Sequence, residues 1–167
     1  ELAPKASFVE GVDGTDLAAT RRLFAEVRPD AVINCAGVVK QLAGADMPAV
    51  AIPINALLPH RLARLAQDHG ARLVHISTDC VFSGARGNYS EEDTPDAEDL
   101  YGRSKLMGEV DYENAVTLRT SIIGHELSTS HALLGWFLAQ PGPVSGFSNA
   151  IFSALSTVEL ARVIQEF

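Results

Sequence analysis

Short apolar runs that alternate with amphipathic helical stretches constrain this chain more than anything else in it. DAVINCAG at residues 30–37 is continuously apolar rather than alternating, and ARLVHIS at 71–77 and AVTLRTSII at 115–123 have the same strand-like length. Runs of that kind suit strands covered on both faces. ASFVEGV at 6–12 is expected as one more strand, ending at Asp13. Leu17, Leu23, Phe24 and Val27 recur at helical spacing behind Thr15 or Asp16, either of which can cap a helix running to about Val27. Leu57, Leu58, Leu62, Leu65 and Ala66 mark a second helix from Ala56 that stops near His69-Gly70, while Pro48 and Pro53 leave residues 41–53 irregular or briefly helical.

After a polar, turn-rich stretch from Ser83 to Asp96, a helix is expected to begin near Ala97 and to carry Tyr101 and Lys105. His131–Ala139 reads as a short helix, and Ser156 with Glu159 three positions later forms a capping-box pattern before VELARVIQEF. Strands alternating with helices argue for an α/β architecture, an open parallel sheet with helices on each side. In such sheets ligands bind beyond the carboxyl ends of the strands. Asp13, Cys35 to Val38, Ser77 to Asp79 and Arg119 to Ser121 should therefore line one edge.

At 167 residues, with 47% apolar and 20% charged residues, the chain suits one domain with a sizeable core. A formal net charge of −8 and a single adjacent basic pair, Arg21-Arg22, exclude nucleic acid and anionic membranes as general partners. No apolar run is long enough to cross a bilayer and the first residues resemble no signal or transit peptide, so a cytoplasmic location is expected. Cys35 and Cys80 lie in apolar strand-like runs without metal-type spacing and read as buried free thiols; the five histidines also lack metal spacing and read as surface or packing residues.

Tyr101 and Lys105 stand four residues apart and so share one helix face. A phenol ionises near pH ~10 and gains as a neutral-pH acid or base from a nearby cation. Thr78 ends an apolar run, where its hydroxyl can face the ligand crevice and join Tyr101 in binding a carbonyl oxygen as negative charge develops there. The plainer alternatives are a solvated Tyr–Lys pair and a strand-end turn in which Ser77 and Asp79 bond local backbone.

Taken in order, RPDAVINCAG, INALLPHRLARLA, HISTDCVFSG, NYSEEDTP, LYGRSKLMGE and LRTSIIG resemble the extended short-chain dehydrogenase/reductase superfamily, nearest to dTDP-4-dehydrorhamnose reductases and related nucleotide-sugar enzymes. The resemblance covers roughly residues 8–124. It implies a Rossmann-like doubly wound parallel sheet, NAD or NADP as cofactor, and a nucleotide-linked keto sugar as substrate. It assigns Tyr101 as general acid or base, Lys105 as the group that holds the nicotinamide ribose and lowers the tyrosine pKa, and Thr78, with Ser77 as fallback, as the hydroxyl on the reacting carbonyl. Asn55 matches a proton-relay asparagine, although it can equally cap the helix from Ala56. Asp13 matches an acidic residue near the adenine, or is a turn residue beside Gly14. Cys35, Ala36, Gly37, Val38 and Ile76 match the backbone that passes close to the cofactor, and Thr78, Asp79 and Ser121 the substrate side. A homodimer through the helix carrying Tyr101 is also implied.

The sequence departs from this pattern in two places. None of its 13 glycines forms a GxxGxxG turn, so the first β-α-β unit is expected to be missing and residues 1–167 to be a partial dinucleotide-binding domain, inactive alone. Residues 140–167 are then the start of, or the return from, a substrate-binding portion. VVKQLAGADMPAV also lacks the acidic pattern of those reductases, and TSIIGHE their aromatic residue. Three functions stay open: reduction of the keto sugar, epimerisation or dehydration with retained cofactor, and a catalytically silent dinucleotide-fold binding protein.

Overall fold

The structure, a computed structural model, describes residues 7–42, 44–127, 132–151 and 153–167. Its centre is a parallel three-stranded sheet of β1 (Ala31–Asn34), β2 (Arg72–Ile76) and β3 (Ala115–Leu118), in the order β1-β2-β3. The registers Ala31 to Arg72 and Leu73 to Ala115 bring the carboxyl ends of all three strands to one edge, as the sequence pattern requires. Residues 7–12 form no strand, and Phe8 is 90% exposed. The reason for this correction is packing: Phe8, Val9 and Val12 all stay exposed, and a run that covers no core and pairs with no neighbour among the described residues has nothing to hold it in a sheet.

Asp16 caps α1 (Leu17–Val27) by accepting from the Ala18 and Ala19 amides. The second helical stretch starts earlier than expected, because Pro48 fits at a helix start, where a missing N–H costs nothing. It runs through α2 (Pro48–Ala51), a π-helical turn (Ile52–Leu57) and α3 (Leu58–Asp68). The wider turn accommodates Pro53, which has no amide to give to an α-helical ladder. Leu62, Leu65 and Ala66 of α3 and Phe24 of α1 form the main core with Leu73, and Val32 and Ala115 of the same sheet row pack against it. Helices α1 and α3 cover that face; Ile33, one row over, is half-exposed on the other.

The Tyr101 helix, α4 (Leu100–Met107), begins three residues later than the pattern suggests because Asp99 is its cap. The expected 115–123 strand breaks at 119–121, where Arg119 turns to an acidic partner, and resumes as β4 (Ile122–Ile123). There it pairs in parallel with β5 (Leu155–Ser156), which leads into α6 (Thr157–Ile164), capped by the Ser156 hydroxyl. A short α5 (Leu133–Leu138) lies between; His131 falls outside the described residues. No helix among the described residues is long and apolar enough to cross a membrane.

Candidate active site

Where β2 leaves the sheet, Ser77 and Thr78 take different directions. The Thr78 hydroxyl accepts from the Cys80 amide at 3.1 Å and heads a short 3₁₀ turn (Asp79–Val81). Asp99 Oδ1 accepts from the Gly102 amide at 2.8 Å and starts α4 opposite that turn. Gly102 permits the contact, since a Cβ there would collide with the Cys80 carbonyl oxygen. Tyr101 is thereby set against Thr78. Burial pushes its phenol up from the ordinary value, while the Thr78 side chain and the Lys40 ammonium pull the other way.

One turn on, Lys105 is buried and donates from Nζ to the Ile76 carbonyl oxygen at 2.7 Å. Desolvation pushes its pKa down to about 8 against the opposing pull of Glu109 and Cys35. The cation that lies over the Tyr101 ring is Lys40, at 5.5 Å from the centroid and 2.7 Å from Asp99 Oδ2. Lys40, Asp46, Asp99 and Tyr101 line a cavity of about 270 Å³. A larger hollow of about 370 Å³ beside His60, Arg64 and Tyr112 contains none of these groups.

Asn55 is no cap: it sits inside the π-helical turn, buried, with Oδ1 accepting from the Val38 amide at 2.8 Å and Nδ2 donating to the Val38 carbonyl at 3.0 Å and to Ser104 Oγ at 3.1 Å. It ties the loop after β1 to the helix bearing Tyr101. Within that loop Cys35 and Ala36 are exposed, Gly37 half-buried and Val38 buried, and Asn34 Oδ1 accepts from the Ala36 amide at 3.1 Å. Cys35 is thus an exposed thiol rather than a core one, because β1 ends one residue before it, and Cys80 is half-buried in the 3₁₀ turn.

Ser77 points away from Tyr101, donating to Glu109 Oε1 at 2.8 Å, and Arg119 grips the same carboxylate with Nη2 at 2.8 Å. Asp13 is exposed and accepts from the Thr15 amide and hydroxyl at 2.8 and 2.7 Å, a turn role. Asp79 is half-buried in the 3₁₀ turn, and the Ser121 carbonyl accepts from the Leu155 amide at 3.0 Å, binding it into the small sheet. No group of three His, Cys, Asp or Glu residues among those described could hold a metal ion. Lys40, Ser104 and Glu109 escaped the sequence reading. Asp99 had a local signal, a carboxylate three residues before Gly102 at a helix start, but Lys40 had none, since its partner lies 59 residues away.

A family described as RmlD substrate binding domain matches residues 2–131. The chain is 41% identical over 102 residues to a dTDP-4-dehydrorhamnose reductase of Mycobacterium tuberculosis, covering 58% of this chain and 33% of that protein. It is also 32% identical over 112 residues to a methionine adenosyltransferase 2 subunit beta of Xenopus laevis, covering 65% and 34%. The matched stretch thus spans about a third of the length of these relatives. Among solved structures, a dTDP-4-dehydrorhamnose reductase ortholog from Clostridium acetobutylicum superimposes with a TM-score of 0.77 at 29% identity, covering 93% of this chain and 57% of that one. A Bacillus anthracis dTDP-4-dehydrorhamnose reductase in complex with NADP gives 0.61 at 33% identity, covering 67% and 42%.

Proposed function

Because this chain belongs to the family described as RmlD substrate binding domain, we propose that it is the catalytic part of an oxidoreductase that reduces a keto group on a nucleotide-linked sugar with NAD or NADP. The observation that carries the reading is the convergence of Tyr101, Thr78 and Lys105 at the carboxyl edge of a parallel sheet. The cofactor supplies the hydride when bound. The residues present fit its nicotinamide half: the small Cys35-Ala36-Gly37 run leaves the edge open, and the Lys105 ammonium has N–H donors beyond the one given to Ile76. Nothing in the sequence matches a glycine-rich pyrophosphate turn.

Thr78 orients the substrate oxygen and Tyr101 gives it a proton as charge develops, the phenolate then being reprotonated from solvent. Lys105 holds the ribose. Residues 140–167 belong to the substrate-binding portion, the enzyme works in the cytoplasm, and it pairs through the helices around Tyr101, where Ile52, Leu57 and Met107 are exposed.

In a protein carrying this chain together with a glycine-rich βαβ unit, reduced cofactor should be consumed with a dTDP-linked keto sugar. Tyr101→Phe should bind cofactor yet lose at least about a hundredfold in kcat. Turnover unchanged by that substitution removes Tyr101 from the role. The likeness to a methionine adenosyltransferase subunit favours a second reading, a dinucleotide-fold binding protein. Calorimetric titration with NAD(H) and NADP(H) separates the two: binding without turnover of any keto sugar supports the second.

A further inference from the structure

We propose that Lys40 is a positioning residue for Tyr101: anchored by Asp99 beside the phenol ring, it supplies the positive charge that favours the phenolate. The proposal deepens the reading of Tyr101 as a proton donor and takes its catalytic meaning from it, but its measurement is independent of turnover. Three observations carry it. Lys40 Nζ lies 5.5 Å from the Tyr101 ring centroid and shares the same cavity wall. Asp99 Oδ2 holds its ammonium at 2.7 Å, with both side chains half-exposed, and the grip of Asn55 on Val38 anchors the backbone two residues earlier. Asp99 is itself held, its other oxygen capping α4 through the Gly102 amide.

The other ionisable groups around the phenol work against ionisation or are engaged elsewhere. Asp79 and Cys80 face it from the 3₁₀ turn and disfavour a second negative charge, and Asp46 and the Asp99 carboxylate that partly offsets Lys40 line the same cavity. Lys105, on the phenol's own helix, is hydrogen-bonded to the Ile76 carbonyl. Lys40 is the cation that a neighbouring segment brings to Tyr101, and its ammonium favours the anion across that distance.

The phenolate absorbance of the chain reports the effect directly. It has three tyrosines, Tyr89, Tyr101 and Tyr112, and subtracting the Tyr101→Phe titration isolates the one of interest. In Lys40→Gln the Tyr101 midpoint should rise by about half a pH unit. Lys40→Arg should restore it, and Tyr89 and Tyr112 should not move. Added salt should narrow the gap between the native chain and Lys40→Gln, and Lys40→Met should reproduce the rise should the glutamine variant fold poorly. A Tyr101 midpoint that moves in neither Lys40→Gln nor Lys40→Met overturns the proposal, as does a rise that arginine fails to reverse. Failure of the oxidoreductase reading would show instead as absent cofactor binding or turnover with this titration intact.

Discussion

Asn55 grips Val38 by both of its backbone polar groups, taking the amide hydrogen at 2.8 Å and returning a hydrogen to the carbonyl at 3.0 Å. The pair works as one rung of a ladder made by a side chain, with a third bond to Ser104 Oγ at 3.1 Å. Asn55 is 1% exposed, so water cannot replace what it provides. Asn55→Leu keeps the volume and strands both Val38 groups; unfolding in urea should reveal a loss of about 2–4 kcal/mol. A loss below about 0.5 kcal/mol would show that the loop holds itself.

Gly108, just past α4, rests against the Asn55 backbone, and a Cβ there would overlap the Asn55 carbonyl oxygen. Neither backbone can yield without moving a helix. Gly108→Ala should therefore cost about 1–3 kcal/mol by overpacking. Gly142 meets nothing within 4 Å among the described residues, and Gly142→Ala should change stability by less than about 0.5 kcal/mol. Equal thermal midpoints for the two variants would contradict the packing described.

His75 is fully buried, with Nδ1 facing Asn34 Nδ2 at 3.1 Å and Nε2 without a partner among the described residues. Burial first, then the Lys105 charge, push its pKa down to about 4. An unfolded imidazole protonates near pH ~6.5, so at lower pH the unfolded state binds a proton that the fold refuses. The fold is fully favoured by this group above that value and loses its advantage as the pH falls to about 4. The loss is on the order of 3 kcal/mol. His75→Leu should be less stable at neutral pH, because Asn34 Nδ2 loses the ring nitrogen it faces, yet its urea midpoint should fall less between neutral pH and pH ~4.5. Parallel acid profiles would show that other groups set the acid limit.

Glu109 receives Arg119 in a two-pronged grip as well as the Ser77 hydroxyl, and both ions are largely shielded, at 13% and 23% side-chain exposure. A double-mutant cycle of Glu109→Gln with Arg119→Gln should give a coupling of about 1–2 kcal/mol. Arg64–Asp68 on α3 is far more exposed, at 73% and 48%. Its coupling should stay under about 0.5 kcal/mol. Similar values for the two pairs would mean that shielding adds nothing here.

Local chemistry in the sequence determined a good deal. Apolar runs around Val32, Leu73 and Val116 made strands, Asp16 and Ser156 started their helices where side-chain oxygens could take amide hydrogens, and the i, i+4 spacing put Tyr101 and Lys105 on one face. Those features depend on neighbours within one or two turns of chain. Tertiary structure alone decided which groups meet: Lys105 on the Ile76 carbonyl, Ser77 on Glu109, Lys40 on Asp99 beside Tyr101, and Asn55 as a brace instead of a cap. These contacts join segments from 17 to 59 residues apart, and their geometry is fixed by sheet register and by glycines that let backbones touch, neither of which leaves a mark in any short window of sequence.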